Sequence, residues 1–185
     1  MWVRAKVLKC SGLPAGLEAA VCAMQLLYDD DDTEGILLVD MKNAFNSLNR
    51  ESALHNVWFL CSSLATVLQN CYQAPSRLIV AGGGELSSEE GITQGDPLSM
   101  SFYALATLPL AQHLQRCCSA VRQTWLADDL AGAGRLIDLL RWWKVLSTSG
   151  KKYGYNTNSV KTLLLCETIV GVTSYIKPPS SSTRN

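Results

Sequence analysis

Five consecutive apolar residues, Gly35-Ile36-Leu37-Leu38-Val39, stop at Asp40. A run of strand length without polar alternation reads as a β-strand buried on both faces. The chain around it has 185 residues, 48% hydrophobic and 17% charged. Such a chain can bury a real core, which excludes intrinsic disorder, and its length suits one domain or one domain with a short tail.

The neighbouring segments set the order of elements. Leu17–Tyr28 has helical apolar spacing and ends in the acidic run Asp29–Asp32, a solvated turn that lacks the spaced oxygens and closing Glu of an EF-hand loop. Helical patterns run from about Arg50 to Gln73, and Pro75 breaks them. Arg77–Val80 and Glu85–Ser88 flank Ala81-Gly82-Gly83-Gly84 as a hairpin. The glycines lack the Gly-Lys-Ser/Thr ending of a phosphate loop.

Asp96 as N-cap and Pro97 at the first helical position open a helix to about Gln115. Val121–Ala127 and Leu130–Ala133 form a second hairpin with Asp128-Asp129 at its tip. Arg135–Ser149 is an amphipathic helix closed by Gly150, with one of the Trp142-Trp143 rings in the core, and Thr162–Cys166 is a further strand. From Lys177 the composition is that of a tail. Non-adjacent strands mixed with helices predict an α+β fold of ferredoxin-like arrangement, an antiparallel sheet with helices packed on one face. The expected divisions are 1–16 as an N-terminal remnant, 17–167 as the domain and 168–185 as a Pro/Ser-rich tail.

Sixteen basic residues balance sixteen acidic ones, whereas nucleic-acid binders usually carry a basic excess. The zero is a sum of opposed parts: residues 1–50 hold 5 basic and 7 acidic residues, 51–129 hold 3 and 7, and 130–185 hold 8 and 2. An acidic middle beside a basic end suits cations held next to a polyanion-binding surface. The seven cysteines are odd in number, lack C-x-x-C spacing and mostly sit in apolar stretches. They read as reduced, buried hydrophobes of an intracellular protein, cytoplasmic or nuclear, and not secreted. Arg4, Lys6 and Lys9 interrupt the N-terminal stretch, so it is no signal peptide, and no segment reads as a membrane span.

Asp40 at a strand end and Asp128-Asp129 at a hairpin tip become chemically interesting if their strands adjoin. Like charges in a partly dry site repel by several kcal/mol, on the order of what a divalent cation can offset. Two Mg²⁺ ions about 3.5–4 Å apart are the usual arrangement for nucleotidyl transfer. Taken alone, Asp128-Asp129 reads as an ordinary turn.

Four blocks occur in order: Leu38-Val39-Asp40-Met41-Lys42-Asn43-Ala44-Phe45 running on to Arg50, Glu90-Gly91-Ile92-Thr93-Gln94-Gly95-Asp96-Pro97-Leu98, Trp125-Leu126-Ala127-Asp128-Asp129, and Gly154-Tyr155-Asn156-Thr157-Asn158-Ser159-Val160-Lys161-Thr162. Together they resemble the palm of retroelement reverse transcriptases, RNA-directed DNA polymerases, over roughly residues 16–166. The resemblance implies two Mg²⁺ ions, or Mn²⁺, ligated by Asp40 and Asp128, with Asp129 beside them and the Met41 carbonyl as an extra oxygen. It places Phe45 against a ribose 2′-OH, Gln94 and Gly95 under the incoming nucleotide and template, and Lys161 near the leaving pyrophosphate as a general acid. Phe45 also fits a core position, and Lys161 an exposed strand edge.

The implied partners are an RNA template, a DNA primer and dNTP. The family usually has an aromatic where this chain has Leu126. The chain holds at most part of the fingers and no thumb, so those segments of a parent polyprotein are expected elsewhere. A polymerase palm fragment and an inactive retroelement remnant, binding nucleic acid weakly through the basic C-terminal third, are therefore the two functional expectations.

Overall fold

The computed structural model describes residues 7–9 and 15–166. Cys10 and the Pro/Ser-rich tail lie outside the described residues. The elements in chain order are β1 (Val7–Lys9), α1 (Gly16–Tyr28), β2 (Gly35–Val39), α2 (Ala44–Ser47), α3 (Arg50–Leu60), α4 (Ser62–Tyr72), β3 (Ser76–Ile79), β4 (Glu85–Ser88), α5 (Ser99–Cys117), β5 (Arg122–Leu126), β6 (Asp129–Gly134), α6 (Leu136–Ser149) and β7 (Leu163–Cys166). The expected strand at Gly35–Val39 lies inside a five-stranded sheet of order β1-β5-β6-β2-β7. It pairs antiparallel with both neighbours, Val39 opposite Leu130 and Leu38 opposite Leu163. The β1–β5 pairing is parallel, so the sheet is mixed at that edge.

Residues directly opposite in an antiparallel pair share a face, and alternate residues point to opposite faces. Leu37, Val39, Gln123, Trp125, Leu130 and Gly132 therefore point to one side. There Leu37, Val39, Trp125 and Leu130 join Leu110, Leu139, Trp142 and Leu146 in the core. Gly132 keeps that side open for a ring, since a Cβ would stand 3.0 Å from Trp142. Gln123 is the polar centre: its Oε1 accepts from the indoles of Trp125 and Trp142 at 3.3 Å, and its Nε2 donates to the Ala111 carbonyl at 2.8 Å. One buried amide thus joins β5, α5 and α6. Trp142 is buried and Trp143 half-buried, as the amphipathic pattern predicts.

The sheet is not covered on one face alone. α1 lies over the opposite face, where its Ala20 and Met24 share a groove with Ile36, Leu38, Thr124 and Ala131. The periodicity of Leu17–Tyr28 identifies a helix but carries no information about which side of the sheet receives it. Two boundaries also differ from the sequence reading. The segment Arg50–Gln73 is two helices, broken at Cys61 (φ −154°, ψ 73°). The long helix begins at Ser99 rather than Pro97, because Asp96 closes a turn, accepting from Leu98 N–H on Oδ1 at 2.8 Å and from Ser99 N–H on its carbonyl at 3.0 Å. The cysteines are less buried than expected: Cys118 is buried, while Cys22 and Cys71 are exposed.

Both hairpins form. β3 and β4 make a separate two-stranded sheet, closed at the glycines by Val80 N–H donating to the Gly84 carbonyl at 2.8 Å. The acidic run is a turn in which Asp30 pairs with Arg122 at 2.6 Å. Among the described residues no helix is long and apolar enough to cross a membrane.

Candidate functional site

The sheet register brings the carboxylates together. Val39 is the last paired residue of β2, opposite Leu130, so one further step along each strand sets Asp40 beside Asp129. Both lie on the face away from Trp125 and Trp142, and both line the groove under α1. Asp128 is the second residue of the two-residue loop between Leu126 and Asp129, which are themselves paired. The tight turn holds Ala127 in the left-handed region at φ 52°, a costly conformation for an alanine and one that tends to persist where surroundings fix it. Burial, then the charges of Asp128 and Asp40, push the Asp129 carboxyl above its ordinary 3.8. The negative charges of Asp128 and Asp40 are thus felt at Asp129, after burial.

The supporting residues fix these groups from behind. The Asn158 side-chain amide donates to Asp40 Oδ2 at 2.9 Å. The buried Tyr155 hydroxyl donates to the Asp128 carbonyl at 3.2 Å, and its ring lies 5.6 Å from that of Trp125. Burial pushes the Tyr155 phenol well up, with Tyr103, Asp128, Asp129 and Asp40 adding to the effect. Met41 is buried, and Tyr103 Oη donates to its sulfur at 2.9 Å. Gly154, at φ 75°, allows the next turn to close on Ser47, because a Cβ there would collide with the Ser47 carbonyl. Sequence reasoning assigned no role to Asn158, Tyr155 or Tyr103; Asn158 and Tyr155 fall inside the fourth block, and that position was the available signal.

The remaining expected residues divide into two groups. Lys161 is exposed and lines the same groove as Asp40 and Asp129, two residues ahead of Leu163, which pairs with Leu38. The groove encloses about 760 Å³. Phe45 is half-buried, its ring stacked on Tyr103 at 4.9 Å, so it packs against the core while remaining partly open. Gln94 and Gly95 are exposed on the turn before Asp96, which is tied to the Phe45 segment because Ile92 N–H donates to the Phe45 carbonyl at 2.7 Å. Neither Phe45, Gln94 nor Gly95 lines the groove of Asp40 and Asp129.

A hard cation takes oxygen donors, and carboxylates with a backbone carbonyl are the usual set. Asp40, Asp128 and Asp129 offer oxygen donors of that type, and the Asp129 carboxyl is raised first by burial and then by its two acidic neighbours. Among the described residues, however, no three His, Cys, Asp or Glu side chains are drawn close enough to form a ready cluster for a metal ion.

No protein-family model and no curated protein sequence matches the chain. Solved structures do match. Telomerase from Candida albicans, in complex with a TWJ fragment of telomeric RNA, superimposes with a TM-score of 0.65 at 15% identity, over 88% of this chain and 32% of that one. Apo telomerase from Candida tropicalis gives a TM-score of 0.61 at 15% identity, over 81% of this chain and 32% of that one. This chain spans about a third of the length of those telomerases. At this identity the likeness speaks for the fold alone: the described residues have a mixed α/β fold that resembles the matched part of those telomerases.

Proposed function

We propose that the chain is the palm of an RNA-directed DNA polymerase of retroelement type. The observation that supports this most is the adjacency of Asp40 and Asp129 on one sheet face with Asp128 beside them. In this reading Asp40, Asp128 and Asp129, with the Met41 carbonyl, hold divalent cations. Bound there, Mg²⁺ would activate a primer 3′-hydroxyl and neutralise the leaving pyrophosphate. Asn158 and Tyr155 keep the carboxylate-bearing segments aligned, Lys161 offers a proton to the departing group, and Phe45 selects deoxynucleotides. RNA template, DNA primer and dNTP are the partners. The fold likeness to telomerases, one of them solved with telomeric RNA, supports a nucleic-acid partner.

The test is template–primer extension with Mg²⁺ or Mn²⁺. The reading requires metal-dependent dNTP addition; failure of the chain to add any nucleotide to an annealed primer at high protein concentration would sink it. A second reading, a catalytically inactive remnant that keeps the fold, is favoured by the lack of a ready three-donor cluster among the described residues. That outcome of the same assay would support it.

A further inference from the structure

Arg50 is buried, and nothing in the proposed chemistry uses its charge. Its guanidinium serves a strap formed by residues 88–91: Nε donates to the Gly91 carbonyl at 2.9 Å, Nη1 to the Ser88 carbonyl at 3.0 Å, and Nη2 to the Glu90 carbonyl at 3.2 Å. Glu90 answers from the strap, its Oε2 accepting the Arg50 backbone N–H at 2.9 Å at the start of α3. Gly91 then passes so close to Asn46 that a Cβ would overlap the Asn46 backbone. Gly91 N–H donates to the Leu48 carbonyl at 2.9 Å, and Ile92 N–H to that of Phe45.

The turn beyond the strap is held by a second residue that Arg50 also touches. The guanidinium carbon stands 5.6 Å from the centre of the Tyr72 ring, a cation–π distance. The Tyr72 hydroxyl donates to Asp96 Oδ2 at 2.5 Å and meets Thr93. Gln94 and Gly95 lie between these two anchor points, so the Arg50–Tyr72 unit fixes both approaches to an exposed turn whose own residues make few bonds. A fixed cation bonded mainly to carbonyls is well suited to this, since guanidinium donors form a rigid fork.

We infer that Arg50 and Tyr72 act together as positioning residues that set the Gln94-Gly95 turn relative to Phe45, and so set the affinity for the incoming deoxynucleotide. This inference rests on the polymerase reading. A displaced turn weakens nucleotide binding without touching the carboxylates, so KM rises while kcat is kept. A tenfold loss of affinity corresponds to about 1.4 kcal/mol of binding.

The test compares the full chain with Arg50→Lys and Tyr72→Phe, the latter retaining the ring under Arg50. Two quantities are measured: amide hydrogen exchange across residues 91–96, and single-nucleotide incorporation kinetics on a template–primer. The expected result is faster exchange in that segment with cooperative melting preserved, and a dNTP KM raised about tenfold or more at unchanged kcat, the mark of lost uniform binding. Unchanged exchange overturns the inference. So does faster exchange with an unchanged KM, or with kcat falling and KM unmoved. If the unsubstituted chain adds no nucleotide, the polymerase reading itself fails and the positioning role falls with it. Incorporation that is normal in the unsubstituted chain and unaltered in both variants defeats the positioning role alone.

Discussion

Asn158 grips Asp40 twice: its backbone N–H donates to the Asp40 carbonyl and its side-chain amide to Asp40 Oδ2, both at 2.9 Å. The two residues are 118 positions apart in sequence, so the turn ahead of β7 fixes the orientation of a carboxylate at the end of β2. A neutral donor orients a carboxylate without placing a competing positive charge beside it, which suits a cation ligand. Removing such a supporting hydrogen bond typically weakens metal binding by about 10–100-fold. Asn158→Ala is expected to weaken Mn²⁺ binding by that order while leaving the melting temperature within a few degrees. Titration calorimetry with Mn²⁺ is the check, and unchanged affinity would detach Asn158 from the site.

Gly91 marks where two segments cross without room for a side chain. It sits at φ 75° against the Asn46 backbone, so Gly91→Ala combines left-handed strain with a clash that rigid backbone cannot relieve. A loss of about 2–4 kcal/mol is expected, at the high end for a single methyl group. Urea unfolding followed by circular dichroism measures it. A loss below about 1 kcal/mol would show that the crossing is looser than described.

The Tyr72–Asp96 contact predicts a pH effect with a definite sign. The Tyr72 hydroxyl, then the Leu98 N–H, hold the Asp96 carboxyl below its ordinary value of 3.8. A carboxyl lowered by folding contributes stability above its unfolded value, and that contribution is lost as pH falls through the folded value. Stability should therefore fall more steeply below about pH 4 in the unsubstituted chain than in Asp96→Asn. Melting temperatures from pH 6 to pH 3 test this; parallel curves for the two proteins would contradict it.

Much of this arrangement was legible because it rests on local pattern. The run Gly35–Val39, the glycine hairpin and the Asp-Asp hairpin all formed where apolar runs and turn residues placed them. Asp128 and Asp129 could be read as neighbours, but their adjacency to Asp40 depends on β2 pairing with β6, a register that no single segment encodes. The break at Cys61 was hidden because the helical apolar pattern continues across it without glycine or proline. Arg50 looked like one more charged residue at a helix start. Its partners lie 24 to 41 positions away and are mostly main-chain carbonyls, which leave no trace in side-chain composition. The side of the sheet covered by α1 was equally invisible, since both sheet faces offer apolar residues.

The most direct test of the central claim is single-nucleotide addition by the full chain on an RNA template with an annealed DNA primer, in Mg²⁺, comparing Asp40→Asn and Asp128→Asn with the unsubstituted protein. Each substitution keeps the shape of the side chain and removes its charge. The expected result is metal-dependent addition that falls by about two orders of magnitude or more in each variant, at little cost in melting temperature. Addition at the same rate in all three proteins would contradict it.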